Sequence, residues 1–108
     1  MQRSYQPTFL YRAVNDGDVD VIAGFSSDGR IAQYGLTLLS DPKSALPPYD
    51  AVLLVSPKPA HDARLTAALK PLVGKIDLPL MQRANLMVDR DKRTPENVAR
   101  WLEQHIQK

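Results

Sequence analysis

Two hydrophobic periods alternate along the chain. In "PTFLYRAV", Phe9, Leu10, Ala13 and Val14 recur at the spacing of one helix face. "NDGD" (15–18) stops that helix, with Gly17 suited to the left-handed position beyond its end. "VDVIAGF" (19–25) then predicts a strand, with Val19, Val21 and Ala23 on one face. "SSDGRIAQY" opens a short helix, for which Ser26 or Ser27 serves as cap and Asp28 sits in the first turn, favoured by the helix dipole. "LTLLS" (36–40) and "AVLLVSP" (51–57) predict two more strands. The second is apolar throughout, as a strand buried on both faces would be. Between them runs a proline-marked loop, "DPKSALPPYD".

The second half is mostly helical. Leu65, Ala68, Leu69, Leu72 and Val73 form an amphipathic stripe, bent at Pro71 and closed by Gly74. Asp77 caps "LPLMQRANLMV", with Pro79 tolerated in its first turn. Thr94, Pro95 and Glu96 mark the start of a last helix whose Val98, Trp101, Leu102 and His105 share a face, which places Trp101 in the core. Strands alternating with helices predict an α/β fold, three-layered around a short, mostly parallel sheet.

Composition narrows the function. At 108 residues, 44% apolar and 24% charged, the chain has the size and balance of one globular domain. No apolar run approaches the roughly 18 residues of a membrane span, and "MQRSYQPTFLYRAV" contains no sustained apolar core of a secretory signal. The absence of cysteine excludes disulfides, thiolate metal sites and cysteine nucleophiles. The net charge of +2 conceals an acidic first half and a basic second half. The basic residues are dispersed, however, and only "RDKR" (90–93) clusters, so a solvated surface is expected rather than a nucleic-acid face. His61 and His105 stand far apart, with no nucleophile–base arrangement beside them. Asp16, Asp18 and Asp20 lack the later ligands of a calcium loop, and Gly17 and Gly29 read as turn glycines rather than parts of a phosphate loop. No enzymatic activity, cofactor or metal is predicted.

Two aromatics invite a ligand: Phe25 at a strand tip and Tyr49 on the stiff "LPPYD" loop. The segments around them, "GDVDV" (17–21), "FSSDGRI" (25–31) and "PPYD" (47–50), followed by "LVGKID", "NLMVD" and "TPENVARWLEQ", carry a family resemblance. Together they resemble the tail of substrate-binding proteins of ABC importers for glycine betaine, choline and related osmoprotectants. The resemblance implies part of a two-lobed, type II periplasmic-binding-protein-like fold that closes on a quaternary ammonium ligand held in an aromatic cage. It implies solute recognition without chemistry, an ABC permease as partner, and a location at the periplasmic or extracytoplasmic face as part of a longer parent.

By the same resemblance, Phe25 and Tyr49 match cage tyrosines, and Ser26, Ser27 and Asp28 join them as ligand-binding positions. Phe25 keeps the ring face of the usual tyrosine without its hydroxyl. Asp28 and Arg30 also read as a helix cap and a local ion pair, while Tyr11 and Tyr34 read as packing on helix faces. The implied division is 1–35 as the end of one lobe, 36–41 as a hinge strand and 42–108 as the closing part of the other. Family members are over twice this length, so sheet edges are expected to lie uncovered, and a homodimer or strand-exchanged assembly is expected of the chain alone. The alternative function is a self-associating interaction domain that binds no ligand.

Overall fold

The computed structural model describes residues 2–106. Among them are the helices α1 (Pro7–Asn15), α2 (Gly29–Tyr34), α3 (Ala63–Leu69), α4 (Leu78–Asp89) and α5 (Pro95–Ile106), with short 3-10 turns at Pro59–His61 and Lys70–Leu72. The chain divides into two compact units: one from the residues up to Leu38 together with those from Ile76 onward, the other from Leu39–Lys75.

In the first unit local chemistry sets the helix ends. At the end of α1, Asp18 N–H donates to the Ala13 carbonyl at 2.9 Å and Gly17 N–H to that of Val14 at 3.3 Å. Gly17 makes this double closure possible at φ +80°. The Asp28 carboxylate, rather than Ser26 or Ser27, caps α2 by accepting from Arg30 N–H at 2.9 Å. Asp77 does the same for Leu80 at the start of α4 (2.9 Å), and Thr94 Oγ1 for Asn97 at the start of α5 (3.3 Å). Tyr11 and Ala13 of α1, Ile31 of α2, Ala84 of α4 and Val98 of α5 are all buried, so each of the four helices contributes to the core. Trp101, expected in that core, lies at its margin: it is half-buried, with the Arg83 guanidinium 5.4 Å from its ring centroid and the His105 ring at 4.1 Å.

Gly29 is not a turn glycine. It is the buried first residue of α2, and its φ is not positive. A Cβ there would stand 2.7 Å from Leu86 Cα and 3.0 Å from the Asn85 carbonyl carbon. The missing side chain is what lets the start of α2 touch the backbone of α4.

The second unit holds α3 between its two 3-10 turns. Asp62 caps α3 through Arg64 N–H (2.9 Å) and Leu65 N–H (3.4 Å). The helix ends at Leu69, one turn earlier than the apolar stripe suggested, because Pro71 cannot donate the next α-helical bond; the chain goes on in 3-10 form to Leu72. Leu53, Val55, Ala60, Leu65, Leu69 and Val73 line an apolar groove of about 370 Å³.

The predicted α/β fold with a parallel sheet is overturned: the described residues contain no strand. Segments 19–25, 36–40 and 51–57 carry neither helix nor ladder, and Val21, Leu38, Leu39, Val52 and Leu54 are exposed. The reason is that a strand is a relation between two segments, paired about 4.8 Å apart. β-branched composition measures only fitness for a pleated, half-buried surface. None of the three segments finds such a partner among the described residues. The three-layer arrangement rested on the same pairing and is overturned with it.

Candidate ligand-binding site

The turn Phe25–Asp28 is held at every step. Its own closure is the Asp28 N–H to Phe25 carbonyl bond, at 3.1 Å. From α1, the Tyr11 hydroxyl accepts from Phe25 N–H at 3.1 Å and donates to the Phe25 carbonyl at 3.3 Å. From α4, Gln82 Nε2 donates to the Ser26 carbonyl at 2.6 Å and Asn85 Nδ2 to the Ser27 carbonyl at 2.7 Å. Three consecutive carbonyls are thus each met by a side chain from a helix. Gly24 permits the approach of Tyr11, since a Cβ there would lie 2.5 Å from the tyrosine oxygen.

A charged group secures the other end of the turn. Arg30 grips Asp28 with two bonds, Nε to Oδ1 at 3.0 Å and Nη2 to Oδ2 at 2.8 Å, and Nη1 donates to the Thr8 carbonyl at 3.3 Å. The guanidinium also lies over the Tyr11 ring, 4.2 Å from its centroid. Hydrogen bonding from Arg30 holds the Asp28 carboxyl below the usual carboxylate range, and the same bond raises the Arg30 pKa. Burial, with the nearby Asp28 charge, pushes the Tyr11 phenol up, so it keeps its proton and its donor role.

On this held backbone Phe25 is 62% exposed, Ser26 is exposed, and Ser27 and Asp28 are half-buried. Both Asp28 oxygens already bond to Arg30, so Asp28 serves as the cap and ion pair described above. Tyr49 belongs to the second unit, where it is 84% exposed after the Pro47–Pro48 pair. The loop leading to it is pinned by Asp41, whose carboxylate accepts from Ala45 N–H (3.0 Å) and Leu46 N–H (2.8 Å). Those backbone bonds lower the Asp41 pKa. A separate hollow of about 680 Å³ in the first unit, between residues 2–5 and 18–23, does not include the Phe25 turn in its lining.

The residues missed from the sequence are the ones that do the holding. Tyr11 had one signal: a phenol on the buried face of a helix must find a hydrogen-bond partner. Gln82 and Asn85 had another, two amides three apart on one helix face. Among the described residues no three His, Asp or Glu gather as a metal site, and no helix is long and apolar enough to cross a membrane.

The profile of a known family, the substrate-binding domain of ABC-type glycine betaine transport systems, matches residues 2–104. The chain belongs to this family. Glycine betaine substrate-binding domains are recognition modules rather than enzymes. The chain is similar to the carnitine transport binding protein OpuCC of Listeria monocytogenes, 37% identical over 91 residues, which is 83% of this chain and 30% of that protein. It is also similar to a glycine-betaine-binding protein of Pseudomonas aeruginosa, 29% identical over 105 residues, covering 95% of this chain and 34% of that protein. The chain therefore spans about a third of the length of these relatives. No solved structure matches it.

Proposed function

We propose that this chain supplies part of an extracytoplasmic binding site for a quaternary ammonium osmolyte such as glycine betaine, carnitine or choline, for delivery to an ABC permease. Family membership supports the solute class, and the observation that carries the site is the exposed Phe25 ring on a backbone held by Tyr11, Gln82 and Asn85. A quaternary ammonium has no N–H to donate, so selective capture falls to the negative faces of aromatic rings, each worth roughly 0.5–2 kcal/mol. Phe25 and Tyr49 each offer such a face. The Ser26 and Ser27 hydroxyls are donors for the carboxylate end of a betaine, and Asp28 contributes by holding the turn. Closure on the ligand then acts as a population shift that the permease reads.

The test is an NMR amide-shift titration of the chain with glycine betaine and with choline. Saturable shifts centred on residues 25–30 and 49 are expected. Unchanged spectra at millimolar ligand would remove the proposal that this chain binds by itself.

A second reading, self-association without ligand, draws on the run Val52, Leu53, Leu54 and Val55, all exposed, with Leu54 at 90%. An apolar run of this kind favours pairing with a second copy. Light scattering behind size exclusion decides: a dimer that binds no betaine supports this reading, and a monomer that does supports the first.

A further inference from the structure

In extended backbone a residue's N–H and C=O point to the same side, where a neighbouring strand would ordinarily meet both. Phe25 has both groups met by a single phenol oxygen, that of Tyr11, at 3.1 and 3.3 Å. The tyrosine is itself 4% exposed and clamped from above, because Arg30 lies on its ring at 4.2 Å and is tied to Asp28 and to the Thr8 carbonyl. With the chain's own guanidinium on its ring, Tyr11 is ill placed to be a wall for a ligand cation. What it controls is the residue that follows Gly24.

We propose that Tyr11 is a positioning residue for ligand capture: its hydroxyl grips both backbone polar groups of Phe25 and presets the ring that faces the cation. This rests on the proposed function, since it needs Phe25 to meet the ligand. The physical gain is preorganisation. With the backbone already in place, only the ring's own rotamers remain to be fixed when the ligand arrives, so more of the cation–π attraction appears as affinity. Tyr11→Phe keeps the ring beneath Arg30 and removes the hydroxyl that bonds to Phe25 and also reaches the Asp28 carboxylate.

The experiment is a double-mutant cycle in the full chain, with glycine betaine as probe and Tyr11→Phe and Phe25→Leu as the two changes. Amide hydrogen exchange at residue 25 is followed without ligand. Tyr11→Phe should weaken glycine betaine about fivefold in the wild-type background, the scale of a lost hydrogen bond, and by less than about twofold when residue 25 is leucine. Its thermal melting point should fall equally in both backgrounds, which separates the positioning effect from a general loss of stability. Equal weakening in both backgrounds, or none in either, would overturn the proposal. If the wild-type chain ignores glycine betaine, it is the proposed function that fails. The grip is then judged by exchange alone: faster exchange of the Phe25 amide in Tyr11→Phe upholds it, and unchanged exchange refutes it.

Discussion

Replacing Gly29 by alanine tests why a glycine stands at the start of α2. The added Cβ would meet the backbone of α4, 2.7 Å from Leu86 Cα, and backbone cannot rotate aside as a side-chain tip can. Relief requires α2 and α4 to separate by the better part of an ångström, since the Leu86 backbone nitrogen is closer still than its Cα, and overpacking of this kind costs about 1–3 kcal/mol. Alanine returns at most about 1 kcal/mol through helix propensity, leaving a net loss between about 0 and 3 kcal/mol, centred on about 1.5 kcal/mol. For a unit of this size each kcal/mol lowers the melting temperature by about 4–8 °C. Circular dichroism melts measure this directly. Gly35 provides the control, since it sits at φ +62° with nothing within 4 Å, so its demand is conformational. Asparagine tolerates that left-handed position, so Gly35→Asn should melt well above Gly35→Ala. Gly29→Asn should be at least as damaging as Gly29→Ala. Should Gly29→Ala melt at or above the wild type, the close approach of α2 to α4 is wrong.

Further expectations follow from the same geometry. The Asp28 pKa is depressed when folded, so its stabilisation is complete above the ordinary carboxylate value near about pH 4 and lost as pH falls through the lower folded value. The melting-point gap between wild type and Asp28→Asn should therefore stay constant from neutral pH to about 4 and shrink below it; a gap that closes by pH 6 would contradict the pairing with Arg30. Asp62→Ala removes the α3 cap and should cost about 1 kcal/mol, read as lost helicity in urea titration. Phe25→Leu and Tyr49→Leu each keep an apolar side chain without the ring, and each should weaken glycine betaine by roughly 0.5–2 kcal/mol in calorimetry.

What could be read from the sequence was what local chemistry decides. Asp77 and Thr94 were found as caps because a cap bonds backbone two or three residues ahead, and Gly17 as a helix terminator for the same reason. The cap of α2 was misplaced by one or two residues because "SSD" offers three eligible side chains in a row. Asp28 prevails with Arg30 two residues on, where one carboxylate serves both the backbone N–H and the guanidinium. The strands were misjudged for the opposite reason: ladder formation depends on a partner distant in sequence, and composition does not say whether the partner is present.

The site divides along the same line. Phe25 and Tyr49 could be picked out as aromatics on stiff or terminal positions, and both rings are exposed. The clamp on Phe25 could not be foreseen in the same way, because Tyr11 lies 14 residues before it, and Gln82 and Asn85 lie 56 and 58 residues beyond the serines they hold. Gly29 reads from the sequence as a turn glycine, whereas its reason lies in the close approach of the α4 backbone.

The most direct test of the central claim compares choline with dimethylbutanol, its uncharged carbon isostere, by titration into the same chain. Cation–π capture through Phe25 and Tyr49 predicts saturable choline binding and at least about tenfold weaker binding of the neutral isostere, the ratio that corresponds to about 1.4 kcal/mol of cation–π attraction. Equal affinity for the two would contradict the account, since the rings would then be acting as apolar surface with no preference for charge.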